Sequence, residues 1–169
     1  MDIKAKKALT VISLILLATV YCMIFALSAD YGEESSNISR AVTGLFWRMY
    51  YSLFMGEGYG EAVIVAVDNT EDIVRKIAHF MEYMSVGFLS FSIVVMWSDR
   101  LRRWFLIVLG QLIISAALDE FHQYFVPGRY ASVKDVLIDT AGGVAGITVI
   151  LFFLFLGRLI HRRPKIYCF

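Results

Sequence analysis

The sequence predicts an all-α protein, a multi-pass helical membrane bundle with four transmembrane helices and an extracytoplasmic amphipathic helix. Apolar residues (AVILMFWYC) make up 59% of the chain and charged residues only 18%, which is far from the average composition of a soluble domain. Four windows are long enough to cross a hydrocarbon core of about 30 Å, which takes about 20 mainly apolar residues. Lysine and arginine also cluster at one set of window ends. We therefore expect one membrane domain over residues 1–169.

The four windows cover residues 9–27, 79–97, 104–118 and 136–157, of which the third is the shortest. The first follows a lysine cluster and so resembles a secretory signal. Its apolar stretch is longer than the usual signal core, which favours an uncleaved anchor. In the fourth window, Gly142 and Gly146 have the small-xxx-small spacing that lets another helix backbone approach closely.

An amphipathic helix is predicted in the long polar segment between the first two windows. Apolar residues follow helical spacing there at Ile38, Val42, Leu45, Phe46, Met49 and Leu53. Asn37 is placed to cap its start and Gly56 to end it. A helix lying in the membrane surface and a helix roofing the bundle are about equally compatible with this pattern.

The segment after this helix is less clearly defined. The apolar run within residues 61–67 is too short to distinguish a strand from a helix by its periodicity, so its structure stays open. Asn69 or Thr70, followed by acidic residues, is expected to cap a helix that continues into the second window.

The basic residues predict the orientation of the chain, because cytoplasmic loops near helix ends collect lysine and arginine. In a four-helix plan one side holds Lys4, Lys6, Lys7, Arg100, Arg102, Arg103, Arg158, Arg162, Arg163 and Lys165. Both termini are therefore expected in the cytoplasm of a cell-membrane protein, with the polar loops outside. The net charge of +1 and these short juxtamembrane clusters suit contact with anionic lipid and give no reason to expect a nucleic-acid partner.

Two polar segments, residues 75–83 and 119–143, lie at the expected outer ends of the apolar windows. Pro127 and Gly128 form a turn dipeptide and place a loop over residues 122–131. Three helix faces carry polar side chains toward this end: Lys76, His79, Glu82 and Tyr83; Gln111, Ser115, Asp119 and His122; Ser132, Asp135 and Asp139. A charge at mid-membrane depth costs roughly 2.5–3.5 kcal/mol, so such groups normally face protein or trapped water. The sequence thus predicts an inward-facing polar site.

Several chemistries are compatible with these residues. No cofactor is predicted, but a divalent metal is a weaker alternative, with His79, His122 and Asp119 as its candidate ligands and Glu82 and Glu120 as further donors. A purely architectural network is another alternative, in which Arg129 pairs with Asp119 or Asp135. If the protein is an enzyme, which the sequence leaves open, the catalytic candidates are His79, Glu82, Asp119, Glu120, Arg129 and Asp135.

The same segments resemble the VanZ-like family. The resemblance begins in residues 25–39, a serine-rich stretch, and extends to Gly146. It is most specific at Lys76, His79, Phe80, Tyr83, Asp119, Glu120, Gln123, Pro127, Gly128, Arg129, Ser132 and Asp135. Asp139 departs from the family pattern, which commonly has asparagine there. The resemblance implies a small multi-pass membrane protein and reduced susceptibility to lipid-bearing glycopeptides such as teicoplanin.

The leading functional expectation is an outward-facing polar pocket that engages an amphiphile, either a lipid head group or a lipoglycopeptide. Its expected ligand-binding residues are Lys76, His79, Tyr83, Asp119, Glu120, Gln123, Arg129, Ser132, Asp135 and Asp139. One alternative is an enzyme that modifies a lipid or a lipid-linked envelope precursor, with His79 or Glu82 as general base. Another is a structural or partner-binding subunit, for which the in-plane amphipathic helix and the glycines of the fourth window would supply contact faces. Oligomerisation is compatible with each of these.

Overall fold

The computed structural model of the chain describes residues 2–29, 32–55 and 60–161. Within these ranges the backbone forms five α-helices and no strand. The helices are α1 (Ile3–Ala29), α2 (Gly32–Phe54), α3 (Gly60–Trp97), α4 (Leu101–Gln123) and α5 (Val133–His161). All except α2 are long and apolar enough to span a membrane. The all-α fold with four spanning helices is therefore confirmed.

Helix α3 is the centre of the bundle. It packs against each of the other four helices, most extensively against α5. The apolar core includes Tyr83, Val86, Phe91, Leu112 and Ile147, which are at most 1% exposed. Large apolar side chains cover the outside of the spanning helices, where they remain exposed in the isolated chain. An apolar exterior around a small core is the arrangement expected of helices that face lipid.

Glycines bring α3 and α5 into backbone contact. A Cβ atom on Gly142 would collide with the carbonyl oxygen of Phe80, and one on Gly146 with that of Met84. Gly87 likewise lies against the carbonyl group of Gly143. The predicted close approach is confirmed, and its partner is α3 of the same chain. The glycines are thus used in helix packing within the bundle.

Helix α3 is longer than a bilayer requires. Its 38 residues extend about 57 Å at 1.5 Å per residue, whereas the hydrocarbon core is about 30 Å thick. Its N-terminal half pairs with α2, and we call this pair the α2–α3 hairpin. The Nε atom of Arg40 donates to Glu71 at 2.7 Å, and the indole of Trp47 donates to Thr70 at 3.0 Å. The hydrogen bond to Glu71 raises the pKa of the Arg40 guanidinium, so this cation stays charged.

The α2–α3 hairpin resolves and corrects the predictions for residues 30–75. Residues 61–67 are helical, because Val63 and Val67 are buried in the interior of the fold. Helix α3 therefore starts at Gly60, and the predicted cap at Asn69 or Thr70 is wrong: the Thr70 hydroxyl donates to the Ala66 carbonyl within the helix.

Helix α2 differs from its prediction at its start and in its surroundings. It begins at Gly32, so the predicted cap at Asn37 is also wrong, while Gly56 lies outside the described residues. Its extensive contacts are with α3, which argues against a roof over the bundle. Its apolar side chains Val42, Leu45, Phe46, Met49 and Leu53 stay exposed. Helix α2 is thus one arm of the α2–α3 hairpin, with its apolar side chains on the outside.

The connection between α4 and α5 is shorter than predicted. Helix α4 continues to Gln123, so the predicted loop over residues 122–131 loses its first two residues to the helix. Gly128 has a φ of 80°, a left-handed conformation that suits glycine. The basic residues 162–165 of the predicted cytoplasmic cluster lie outside the described residues.

Candidate functional site

Buried polar side chains collect at one end of the bundle, where α1 and α4 end, α5 begins and α3 passes alongside. They are Ser28, Asp119, Glu120, Gln123 and Asp139, none of which is more than 8% exposed. Four of these five were predicted as site residues. Ser28 was not, although a serine in the last turn of an apolar window is a signal that could have identified it.

Two hydrogen bonds fix the connection between α4 and α5 above this cluster. Glu120 Oε2 accepts from the backbone amide of Ser132 at 2.7 Å, and the Ser132 hydroxyl accepts from the amide of Lys134 at 3.1 Å. Both bonds satisfy amides at the start of α5, as in an N-cap. The structure thus gives Ser132 and Glu120 capping roles beside any role in a ligand site.

Arg129 joins the same connection to α1. Its Nη2 atom donates to the backbone carbonyl of Leu27 at 2.7 Å. Carbonyls at the C-terminus of a helix carry partial negative charge and lack intrahelical partners, so a guanidinium is a favourable neighbour. One alternative from the sequence paired Arg129 with Asp119 or Asp135; the structure shows a backbone partner on another helix.

A polar cavity of about 100 Å³ opens beside these groups. Its lining residues are Arg75, Lys76, His79, Glu120, Gln123, Gly128, Arg129, Tyr130, Asp135, Ile138 and Asp139. Lys76 Nζ lies 3.9 Å from Asp135 Oδ1 across it. Seven of the predicted ligand-binding residues are thus brought together, with three cationic side chains among the lining. The cavity is large enough for a small charged group but too small for a whole lipid.

His79, Asp119 and Asp139 form a tighter cluster at the inner side of the cavity. Each offers one ligand atom, and these three atoms lie within 4.8 Å of one another. Gln123 Nε2 donates to Asp119 Oδ2 at 3.0 Å, while Glu82 Oε2 lies 3.6 Å from His79 Nδ1. Neither oxygen of Asp139 has a hydrogen-bond partner among the described residues. We call these three residues the His–Asp–Asp cluster.

An apolar groove of about 530 Å³ runs along α1 and α4. Its lining residues are Tyr21, Cys22, Ile24, Phe25, Tyr83, Ser115, Leu118, Asp119 and His122. Asp119 lines the groove, while His79 and Asp139 line the polar cavity, so the His–Asp–Asp cluster lies next to both spaces. Phe25 and Tyr21, which sequence reasoning did not assign to the site, bring α1 into it.

The position of His122 corrects one prediction. Its ring centroid lies 4.6 Å from that of Phe25, and its side chain lines the apolar groove. Among the described residues, the group with ligand atoms close enough to hold a metal contains Asp139 where the sequence suggested His122.

Gln111, on the predicted polar face of α4, is used elsewhere. Its amide nitrogen lies 3.1 Å from the Tyr21 hydroxyl and 3.1 Å from the Ser90 hydroxyl. It therefore ties α1, α3 and α4 together within the bundle and lines neither the polar cavity nor the apolar groove.

The fold and the site define a multi-pass helical membrane protein with a polar cluster buried at one end of its bundle. The VanZ/LLP1 family model matches residues 13–155, and the chain belongs to this family. The match runs from the middle of α1 to near the end of α5, so it includes every residue of the two spaces described above. Comparison with curated proteins and with solved structures gave no match.

Proposed function

We propose that this protein binds an amphiphile, with an anionic head group in the polar cavity and the hydrocarbon part in the apolar groove. The observation that carries the proposal is the position of the His–Asp–Asp cluster next to both spaces, with His79 and Asp139 lining the polar cavity and Asp119 lining the groove. An amphiphile likewise carries a polar head group and an apolar tail in one molecule. The shared chemistry fits both a membrane phospholipid and a lipid-bearing glycopeptide.

The charges of the polar cavity support an anionic head group. Arg75, Lys76 and Arg129 line it beside the carboxyl groups of Glu120, Asp135 and Asp139, and guanidinium and ammonium groups are the usual partners of phosphate and carboxylate. The Lys76 side chain is 47% exposed, so it can reach a ligand without a large change in the bundle. Asp135 Oδ1 lies 3.9 Å from Lys76 Nζ and keeps this ammonium group at the cavity when no anion is bound.

The apolar groove supports a hydrocarbon tail. Phe25 and Leu118 are about 60% exposed along it, and both lie on helices that face lipid. A tail in the groove would keep these side chains in an apolar environment while it holds the head group at the depth of the cavity. We propose that this end of the bundle faces the outside of the cell, as the lysine and arginine distribution predicts.

Binding to a phospholipid is tested with purified protein in phosphatidylcholine nanodiscs that contain a small fraction of phosphatidylglycerol. Native mass spectrometry then counts the phosphatidylglycerol retained after release from the disc. We expect retention by the wild type and by the control Arg48→Ala, which removes a cation far from the cavity, and loss in Lys76→Ala and in Arg129→Ala. Equal retention by all four proteins would refute an anion-specific site.

A lipoglycopeptide ligand is tested by growth of a susceptible Gram-positive host in teicoplanin or vancomycin, at matched membrane abundance of each variant. Selective protection against teicoplanin that disappears in Arg129→Ala, and in the groove-filling Leu118→Trp, would identify the lipid-bearing drug as a ligand. If the wild type gives no protection while phosphatidylglycerol is retained, the ligand is a membrane lipid.

A second candidate function is chemical modification of the bound amphiphile. The observation in its favour is the pairing of His79 with Glu82, whose Nδ1 and Oε2 atoms are 3.6 Å apart, beside two buried carboxylates. Such a pair is suited to proton transfer. The test is mass spectrometry of envelope lipids and precursors from cells that express the wild-type protein or His79→Gln. If the protein is an enzyme, only the wild type makes a modified product.

A further inference from the structure

Two carboxylates of the His–Asp–Asp cluster are buried to an extent that calls for a compensating group. Asp139 is 1% exposed and Asp119 is 8% exposed. Neither oxygen of Asp139 has a hydrogen-bond partner among the described residues, and Lys76 is engaged with Asp135 instead. Buried carboxylates are normally paired, hydrogen-bonded or bound to a metal, because an isolated buried charge is very costly.

We propose that His79, Asp119 and Asp139 bind one divalent transition-metal ion, Zn²⁺ or Mn²⁺. Imidazole nitrogen and carboxylate oxygen are ordinary ligands of these ions. Each ligand comes from a different helix, α3, α4 or α5, so the site is assembled only in the folded bundle. The dipositive ion would neutralise the two carboxylates together.

The spacing of the cluster suits such an ion. Three ligand atoms that surround zinc at about 2.0–2.2 Å are about 3.4 Å apart in tetrahedral geometry. In the structure the corresponding atoms lie within 4.8 Å of one another. An inward shift of each atom by about an ångström would give the tetrahedral spacing.

A neighbouring residue orients one of the three ligands. Gln123 Nε2 donates to Asp119 at 3.0 Å and lies 3.3 Å from the Ser28 hydroxyl of α1. A hydrogen-bonding partner of this kind fixes the orientation of a metal ligand. His79 Nδ1 has no hydrogen-bond partner among the described residues, and Glu82 Oε2 lies 3.6 Å from it.

The ion would have an open coordination position. Three protein ligands are fewer than the four of a closed structural zinc site, and His79 and Asp139 both line the polar cavity. The open position therefore faces the cavity and can take water or an anionic oxygen. Metal binding does not require an amphiphile, so its test is independent of the proposed function.

The test uses full-length protein purified through a tag without histidine, stripped with EDTA and titrated with Zn²⁺ or Mn²⁺ by calorimetry. Metal content after dialysis is measured by mass spectrometry. We expect one equivalent per wild-type chain and an affinity loss of more than about 100-fold in Asp139→Asn and His79→Gln, beyond the range for second-shell changes. Asp135→Asn is the matched control, since it removes a carboxylate from the same cavity but outside the cluster, and keeps one equivalent.

Thermal unfolding of each variant in the same detergent shows whether it is folded. X-ray absorption of the zinc-loaded wild type provides a readout that needs no variant, and we expect oxygen ligands together with the scattering pattern of a single imidazole. Absence of a bound equivalent in the wild type, absence of imidazole scattering, or wild-type affinity in a folded Asp139→Asn or His79→Gln variant would each overturn the proposal.

Discussion

Replacement of Gly146 by alanine is the most direct perturbation of this fold. The added Cβ atom would collide with the Met84 carbonyl oxygen and approach the Phe88 amide at 2.7 Å. Both neighbours are backbone atoms within α3, so neither can rotate away as a side chain would. The two helices must therefore separate along the most extensive contact in the bundle.

The magnitude follows from two opposing terms. Insertion of a methyl group into a packed interior costs about 1–3 kcal/mol, whereas alanine is about 1 kcal/mol better than glycine in a helix interior. Gly110→Ala is the matched control, because a Cβ there meets nothing within 4 Å. The difference between the two variants cancels the helix-propensity term. We expect Gly146→Ala to be less stable than Gly110→Ala by about 1–3 kcal/mol.

The assay is unfolding in mixed micelles by titration with sodium dodecyl sulfate, followed by circular dichroism and tryptophan fluorescence. A difference of 1.4 kcal/mol in stability changes the unfolding equilibrium constant tenfold. The detergent titration can measure a change of this size. Gly146→Ala should unfold at a lower detergent fraction than the wild type, and Gly110→Ala at an equal or higher one. Coincident transitions for the two variants would refute backbone contact between α3 and α5.

Three further perturbations have defined outcomes. Ser132→Ala should cost about 1 kcal/mol through loss of a helix cap and speed hydrogen exchange at the Lys134 amide; unchanged exchange would contradict the capping role. Gln111→Leu should cost about 1.2 kcal/mol in the same detergent titration, because it removes two hydrogen bonds between membrane helices that average about 0.6 kcal/mol each; a gain in stability would show that its bonds contribute nothing. In a chain without native cysteines, a membrane-impermeant maleimide should label Pro127→Cys but not Asp99→Cys in intact cells, and the reverse pattern would invert the proposed orientation.

The spanning helices could be predicted because lipid imposes a simple rule on the sequence. A segment that crosses the hydrocarbon must satisfy its backbone internally and present apolar side chains, and length and hydropathy record both conditions. The helix ends were less predictable. Thr70 is of a residue type that often caps helices, but it lies inside α3. The helix starts ten residues earlier, where Val63 and Val67 are buried.

The polar site was predictable as a set of residues but not as an arrangement. Lys76, His79, Glu120 and Asp135 do line one cavity, as expected of costly polar groups within apolar helices. The same reasoning could not separate Asp139 from His122 as a neighbour of His79. That choice depends on the rotation of α4 and α5 about their axes, which local spacing does not specify.

The sequence by itself determined that this chain forms apolar spanning helices with polar side chains at one end. The reason is that the free energy of transfer of a segment from water to lipid depends on the composition of that segment. Only the tertiary structure decided which polar groups meet. The glycines of α5 set how closely it approaches α3, and this approach places Asp139 beside His79. The C-terminal part of α1 brings Ser28 to Gln123 and Phe25 to the apolar groove that Asp119 also lines. Those contacts depend on packing between segments far apart in the chain, so no local pattern records them.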